Sequence, residues 1–331
     1  MKAHGHDTRP KLTEFQRSLQ CDRLYTKLPT QAVLPPGRED TLRIMSWNIE
    51  RGYDPQRIAE AIVALGPDVV CLQEVDWNND RTGRRDVLQI LAETTNMIGI
   101  FGAEFLELET TGRTTRSAGG GAIGNAILSR MPPTTAFRVE LPAALDWEHD
   151  VQNEQLPQRV RRRLRRERRI GSRFGLAAEF SVGGAQLLVC SVHFEDKFGG
   201  ASGRFQQYRS VLKAMAARDR AASKTLVVAG DFNTFDSEIA RLVMSDTDAT
   251  ALGRPSGVTE AEWWKKHLLP PTGFVDPFPA NAWTFRVPLL FRAKLDWITV
   301  KNGTIRDCGI GSFASSDHRP LWVDMELRTG A

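Results

Sequence analysis

Short apolar runs recur along the whole chain, and each contains or ends in polar residues. Six of them are residues 42–48, 68–74, 187–193, 226–233, 294–300 and 315–321. Apolar, β-branched-rich runs of this length, bounded by turn residues, are typical of buried strands. Polar residues at the ends of such strands lie at a sheet rim, where ligand sites of layered α/β folds gather. The pattern therefore predicts one oxygen-rich pocket that also contains histidines.

Helical periodicity separates several of these strands. Residues 54–65 carry an aspartate at the N-cap, a proline at the first helical position and a glycine past the end. Further helices are predicted over residues 84–96 and 204–215. The strand-helix-strand unit around the first helix should return Glu74 to the same sheet edge as Asn48.

Length and composition indicate a globular protein. The chain has 331 residues, of which 41% are hydrophobic, and its net charge of +4 is compatible with a polyanionic substrate. No linker interrupts the polar strand ends, so we expect one catalytic domain over residues 41–331 after an N-terminal extension over residues 1–40. We see neither an apolar leader nor a run of ~18 apolar residues, and therefore expect a cytoplasmic protein.

An arginine-rich insertion occupies residues 146–173, with its densest block at residues 159–169. Val160 and Leu164 are four residues apart, so a helix here would present a small apolar stripe and a basic remainder. Such a surface could clamp a nucleic-acid backbone or contact an anionic membrane. It could equally be a solvated insertion, partly neutralised by the acids just before it.

The order of the polar residues resembles that of the endonuclease/exonuclease/phosphatase superfamily. The motifs lie between residues 42 and 327 and read Trp47-Asn48-Ile49, Gln73-Glu74, His193, Gly230-Asp231-Phe232-Asn233, Leu295-Asp296-Trp297 and Ser316-Asp317-His318. Each motif alone is weak, but six in this order make a chance match improbable. The resemblance implies an α/β fold, a four-layer α/β/β/α sandwich in which two mixed β-sheets pack face to face with helices outside.

Hydrolysis of a phosphate ester needs a hard cation, which the predicted oxygen ligands suit. Mg²⁺ prefers a few oxygen ligands and keeps several waters. The resemblance implies that Glu74 is the principal ligand of Mg²⁺, with Mn²⁺ as the alternative, that Asn48 supports it and that Asp317 can join. Glu50 is predicted as a further ligand, because some nuclease members carry an aspartate at this position.

The resemblance also implies roles for the remaining strand-end residues. Asp231 would orient or deprotonate the attacking water, while Asn233 would donate to a phosphate oxygen. His318 would contact the scissile phosphate, with Asp296 holding its tautomer and favouring the imidazolium. His193 would donate to the phosphate or protonate the leaving oxygen. Abasic-site endonucleases usually carry a tyrosine there, so the histidine is closer to DNase I, sphingomyelinase and phosphatase members.

Substrate contacts are less well marked. We expect them from Arg204, Arg209 and Trp283. Candidate groups for stacking on bases are Trp263, Trp264, Trp283 and Phe291. Against a repair role, Ala293 lies three residues before Asp296, where abasic-site endonucleases place an aromatic residue.

Three functions are therefore open. The favoured one is Mg²⁺-dependent hydrolysis of a nucleic-acid backbone by an activated water. A lipid phosphodiesterase or phosphatase, similar to sphingomyelinases or phosphoinositide phosphatases, is the alternative, supported by His193 and apolar loops such as residues 288–291. The third is a catalytically inactive phosphate-binding module, against which the intact motif set argues. We expect no obligate protein partner.

Overall fold

The computed structural model describes residues 11–30, 41–110, 112–196, 200–234, 253–254, 257–287 and 291–328. Fifteen strands are formed by these residues. In chain order they are β1 (Leu24–Lys27), β2 (Leu42–Arg51), β3 (Val69–Trp77), β4 (Ile98–Glu107), β5 (Ala122–Ser129), β6 (Thr135–Glu140), β7 (Arg169–Gly171), β8 (Phe174–Val182), β9 (Ala185–His193), β10 (Thr225–Asp231), β11 (Phe285–Val287), β12 (Phe291–Ala293), β13 (Asp296–Lys301), β14 (Gly303–Ile310) and β15 (Leu321–Leu327).

The strands form two large sheets and one ribbon. The larger sheet has the order β1-β4-β5-β3-β2-β15-β14, with β7 paired to β4, and the smaller has the order β13-β10-β9-β8-β6. Strands β2 and β3 run parallel, as do β9 and β10, whereas their other neighbours are antiparallel. Both sheets are therefore mixed, as the sequence predicts. Strands β11 and β12 form a separate antiparallel ribbon.

Helices cover the outer faces of both sheets. In the described residues they are α1 (Glu14–Ser18), α2 (Pro55–Leu65), α3 (Val87–Thr95), α4 (Gln158–Arg166), α5 (Gly200–Arg218) and α6 (Glu260–Trp263). Apolar residues of α2 and α3 pack on the larger sheet, and those of α5 and α6 pack on the smaller. Between the sheets, Ile44 and Val69 of the larger one share a core with Leu187 and Val227 of the smaller. The predicted four-layer α/β/β/α sandwich is confirmed.

Local capping chemistry explains where the helices begin and end. The Asp54 side chain caps α2 by accepting from the backbone N–H of Arg57, and Gly66 ends it in the left-handed conformation. Helix α3 begins at Val87 rather than at residue 84, because the Asp86 side chain is the N-cap. Helix α5 is longer than predicted and spans residues 200–218.

Part of the predicted N-terminal extension packs on the domain. Strand β1 pairs antiparallel with β4 at the edge of the larger sheet. The buried Gln16 amide donates to the backbone carbonyls of Glu107 and Gly121. None of the helices in the described part of the chain is both long and apolar enough to cross a membrane.

The arginine-rich insertion has a small core of its own. Val160 and Leu164 of α4 are buried, as the apolar stripe predicts, and pack with Trp147 of the same insertion. Phe105 and Ile123 of the larger sheet complete this cluster. The insertion is therefore anchored on the sheet, next to the strands that carry the polar ends.

Candidate active site

The ends of five strands from both sheets meet at one edge of the sandwich. Asp231 of β10 is paired in register with His193 of β9 on one side and with Asp296 of β13 on the other. From the larger sheet, the Asn48 side-chain nitrogen donates to Asp231 Oδ2 over 3.1 Å and to Glu74 Oε1 over 3.3 Å. The structure therefore brings the predicted polar strand ends into contact across the two sheets.

The backbone leaves regular strand geometry where these side chains project. Both β2 and β3 shift register, between Asn48 and Arg51 and between Leu72 and Val75. Glu74 has a positive φ of 56°, which is uncommon for a residue with a side chain and clusters at functional sites. Register shifts of this kind can change the direction of a side chain at a site.

Gly230 is required by close packing within the smaller sheet. A Cβ atom on this residue would lie 1.9 Å from the Val192 carbonyl oxygen, far inside contact distance. Only glycine therefore lets β10 lie close to β9, with Asp231 as the next residue.

His318 and Asp296 form a buried acid-histidine pair. His318 Nδ1 lies 2.8 Å from Asp296 Oδ2. Burial lowers the pKa of His318, but Asp296, together with the charges of Asp231 and Asp317, outweighs burial and raises the pKa to about 10. At neutral pH the ring is an imidazolium, and its Nε2 lies 3.9 Å from Asp231 Oδ2.

Asp231 lies at the centre of the site and is almost fully buried. Burial raises the pKa of this carboxyl well above its usual value, against the opposing charge of His318. Its Oδ1 accepts from the backbone N–H of Asn233 over 2.8 Å, while its Oδ2 faces Asn48. A carboxylate with a raised pKa, held in position by hydrogen bonds, is suited to act as a general base.

The predicted metal ligands cluster beside this group. Burial raises the pKa of Glu74, but Arg51 and His318 outweigh it, so the pKa is lowered and the group stays a carboxylate. The pKa of Asp317 is raised to about 6, first by burial and then by repulsion from Glu50 and Glu74. A divalent cation would relieve this repulsion, and the oxygen-only donors suit a hard ion such as Mg²⁺.

A second group of ligand-type atoms lies deeper. Atoms of Asp231, Asp296 and His318 all lie within 4.8 Å of one another, close enough to hold a metal ion. However, His318 Nδ1 is committed to Asp296, and an imidazolium has no free lone pair for a metal. This group is therefore better suited to proton transfer and charge stabilisation, whereas the Glu74 side of the site offers the oxygen donors that could hold a cation.

His193 lies near a buried acid, Glu104, that the sequence did not reveal. Its Nε2 lies 3.5 Å from Asp231 Oδ2, and its Nδ1 lies 4.0 Å from Glu104 Oε2. Burial and then the nearby Arg173 hold the pKa of His193 well below its ordinary value, so the ring is neutral. Glu104 receives hydrogen bonds from Asn125 and Arg173, and burial raises its pKa to about 7.

Arginines line the pocket next to these groups. A cavity of about 270 Å³ is bounded by Glu74, His193, Asp231, Asp317 and His318 together with Arg51, Arg163, Arg169 and Arg173. Three of these arginines come from the insertion, for which the sequence predicted a nucleic-acid clamp, a contact with an anionic membrane or a solvated segment, but not a wall of this pocket. The sequence contains one signal for this position of the arginines. Two acids, Glu104 and Glu107, lie within the apolar run of β4 and, once buried, need basic partners such as those of the arginine block.

The predicted substrate-binding residues do not line the pocket. Arg204 is buried in an ion pair with Glu260, with 2.5 Å between Nη2 and Oε2, because a guanidinium buried under α5 needs an acidic partner. Arg209 is exposed on α5. Trp283 is half-buried and lies beneath the guanidinium groups of Arg292 and Arg319.

Several other residues that the sequence predicted to contact the substrate or a metal are engaged elsewhere in the protein. Trp264 is fully buried in the core under the smaller sheet and cannot stack on a base. Asn233 lines the pocket, but its side-chain nitrogen donates to the Phe194 carbonyl over 2.9 Å. The Glu50 carboxylate pairs with Arg116 at 3.2 Å near the surface. The predicted apolar loop at residues 288–291 lies largely outside the described residues.

Comparison with known protein families gives a match over the part of the chain that carries the motifs. A family model described as "Endonuclease/Exonuclease/phosphatase family" matches residues 45–318. No curated protein matches the chain significantly.

Solved structures show the same fold. An endonuclease/exonuclease/phosphatase from Beutenbergia cavernae DSM 12333 is 21% identical over 87% of this chain and 72% of its own, with a TM-score of 0.59. The human Nocturnin catalytic domain, solved with a bound sulfate anion, is 18% identical over 97% and 99%, with a TM-score of 0.56. A protein from Bacteroides vulgatus is 18% identical over 87% and 99%, with a TM-score of 0.54.

Proposed function

The chain belongs to the endonuclease/exonuclease/phosphatase family, and on that premise we propose that it is a divalent-metal-dependent phosphodiesterase that hydrolyses a nucleic-acid backbone. One observation carries the proposal: a buried carboxylate, Asp231, lies between a neutral histidine, His193, and a cationic one, His318. Such a group can accept a proton on one side and stabilise negative charge on the other.

In the hydrolytic step Asp231 acts as the base and His318 stabilises the developing charge. A water oxygen attacks phosphorus while Asp231 takes the water's proton. The bond between phosphorus and the leaving oxygen breaks, and that oxygen gains a proton from the site or from solvent. The imidazolium of His318 donates to the phosphate oxygens as their charge grows, and Asp296 keeps it protonated.

The cation side of the site supports the same step. Glu74 would hold a divalent ion, with Asn48 and Asp317 as the neighbouring oxygen donors. A bound ion of this kind neutralises phosphate charge and polarises the phosphorus–oxygen bond. The lowered pKa of Glu74 keeps a full carboxylate available for it across the neutral pH range.

The pocket walls carry guanidinium groups, each paired with an acid. Arg163, Arg169 and Arg173 bring guanidinium groups to the cavity that holds the catalytic residues, and guanidinium matches phosphate geometry. A nucleic acid offers phosphates on both sides of the scissile bond, whereas a choline lipid offers one phosphate and a cationic head group. Because acids neutralise these wall arginines, a nucleic acid is favoured over sphingomyelin by the net charge of +4 and by the arginine-rich insertion rather than by the cavity wall alone.

A substrate panel tests the proposal. Duplex DNA, single-stranded DNA, RNA, sphingomyelin and phosphoinositides would be incubated with enzyme in Mg²⁺, in Mn²⁺ and in excess EDTA. We expect metal-dependent cleavage of at least one nucleic acid and none of the lipids. Cleavage restricted to a lipid would replace nucleic acid as the substrate. No cleavage of any phosphodiester would favour an inactive phosphate-binding module.

A further inference from the structure

Helix α4 of the insertion has two arginine-bearing faces with different surroundings. On the inner face, Arg163 pairs with Asp196 and Glu167 and lies against the catalytic cavity. Just after the helix, Arg169 lines the same cavity and pairs with Glu107 and Glu167. The inner arginines are therefore neutralised by acids and belong to the pocket wall.

The outer face of α4 is not neutralised in this way. Arg161, Arg162, Arg165 and Arg166 line an open groove of about 420 Å³ together with Gly112 and Gln158. No ion pair joins any of these four arginines to an acid of the described residues. Arg161 and Arg165, like Arg162 and Arg166, are four residues apart, and like charges at that spacing destabilise a helix. A polyanion bound in the groove would relieve the repulsion.

The helix offers this charge from a fixed position. Leu164 is fully buried and Val160 nearly so, in the cluster with Phe105, Ile123 and Trp147. Arg162, Arg165 and Arg166 therefore are exposed, and Arg161 partly exposed, on an anchored helix rather than on a free loop.

The same burial argues against a membrane. A helix that lies on a membrane inserts an apolar face between the lipids, but the apolar side of α4 is already packed inside the protein. In the described residues the exposed large hydrophobic side chains are Leu28, Val63 and Val275, which all lie outside the insertion. The arginine face therefore has no apolar anchor beside it.

We propose that the outer face of α4 binds backbone phosphates of a nucleic-acid strand whose scissile phosphate lies in the catalytic cavity. Arg163 links the two places, because it lies on the same helix and lines the cavity. The inference rests on the proposed function and deepens it: the substrate extends beyond the cleaved bond, over the phosphates that four arginines can reach. One guanidinium group can donate two hydrogen bonds to a phosphate, so an arginine-rich surface suits a nucleic-acid backbone.

Salt dependence of binding tests this surface. A variant with Arg161→Gln, Arg162→Gln, Arg165→Gln and Arg166→Gln would be compared with wild type. Labelled duplex and single-stranded oligonucleotides would be titrated in EDTA, without turnover, from 50 to 200 mM salt. We expect the slope of log K against log salt to flatten by about 0.9 for each lost contact on duplex and about 0.7 on single strands.

A matched control removes the same charge elsewhere. Arg57, Lys213, Arg220 and Lys266 are exposed outside the insertion, and their replacement by glutamine should leave the slope unchanged. Both variants should hydrolyse bis(p-nitrophenyl) phosphate in Mg²⁺ at wild-type rates, because the catalytic groups are untouched. The double variant Arg162→Gln/Arg166→Gln provides a milder test if the quadruple variant melts early.

Several results would overturn the proposal. These are an unchanged slope in the arginine variants, an equal change in the control variant, or lost binding to acidic vesicles with DNA binding intact. Failure of the proposed function looks different, because wild type would then leave bis(p-nitrophenyl) phosphate intact while its oligonucleotide binding could still be measured.

Discussion

At the scale of residues, neighbouring titratable groups of the site are held in different protonation states. Asp296 keeps His318 cationic, while burial raises the pKa of Asp231 only 3.9 Å from that ring. His193, on the other side of Asp231, is neutral. The Asp231 carboxylate therefore has a cationic imidazolium on one side and a neutral imidazole on the other. Neighbouring groups whose pKa values are pushed apart in this way can take separate acid and base roles.

This asymmetry predicts the effect of removing either partner. Asp231→Asn and His318→Ala should each lower kcat by at least ~10²-fold, because each group acts in the transition state. Steady-state rates on the best substrate of the panel measure this. Asp307→Asn, at an exposed aspartate that does not line the catalytic cavity, should retain the wild-type rate. Near-wild-type turnover in either site variant would remove that residue from the mechanism.

The sequence predicted the site residues that belong to recognisable motifs. It missed residues whose place in the site depends on contacts with distant parts of the chain. Asp231 ends β10, and Asn48 and Glu74 lie three residues before the ends of β2 and β3, so the strand pattern and the resemblance of the ordered motifs were enough to place them together. Glu104 lies inside an apolar strand, and only the approach of His193 from the other sheet makes it part of the site. Arg204 was assigned to the substrate, but its pairing with Glu260 depends on packing that no local pattern encodes.

At the scale of elements, the insertion is a wall of the active site rather than an appendage. The spacing of Val160 and Leu164 predicted the helix and its apolar stripe. It did not predict that the stripe packs on Phe105 and Ile123, because the partner strands are distant in sequence. The apolar part of the anchoring of α4 therefore depends on one small cluster.

Weakening that cluster should release the helix. Leu164 is fully buried, and Leu164→Ala should cost about 2–5 kcal/mol, because the lost side chain leaves a cavity. We expect faster trypsin cleavage within residues 158–169, by at least about 10-fold if cleavage follows local opening. Mass spectrometry of the fragments measures it. Val63→Ala, at a side chain that is 53% exposed, is the control, and equal cleavage in both variants would contradict the anchoring role.

At the scale of the whole molecule, a buried acid joins three separate segments behind the pocket. The Glu107 carboxylate lies within 3.5 Å of Arg81, 2.5 Å of Arg113 and 3.4 Å of Arg169. Burial raises the pKa of Glu107, but these arginines, led by Arg169, outweigh it and hold the pKa well below its ordinary value. The network ties the loop after β3, the loop after β4 and the insertion together.

Stability should therefore depend on Glu107 and on pH. Glu107→Gln should lower the free energy of unfolding by about 3–5 kcal/mol, because it takes the acid partner from buried Arg113 and one of two acid partners from Arg81 and Arg169. A carboxyl whose pKa is lower in the folded state stabilises above its unfolded pKa, about 4.3, and loses that contribution as the pH falls further. Wild type should thus lose Tm below that pH more steeply than the variant. Exposed Glu140→Gln is the control, and parallel Tm curves for Glu107→Gln and wild type would refute this role.

The central claim is that the polar strand ends form a metal-dependent hydrolytic site, and one measurement tests it most directly. Hydrolysis of a phosphodiester would be followed across Mg²⁺ concentrations for wild type and Glu74→Gln, with excess EDTA as the zero point and Tm as the check on folding. We predict that wild-type activity rises to saturation with Mg²⁺ and vanishes in EDTA, while folded Glu74→Gln shows no metal-stimulated turnover. Full wild-type activity in EDTA, or an unchanged metal response in Glu74→Gln, would contradict the account.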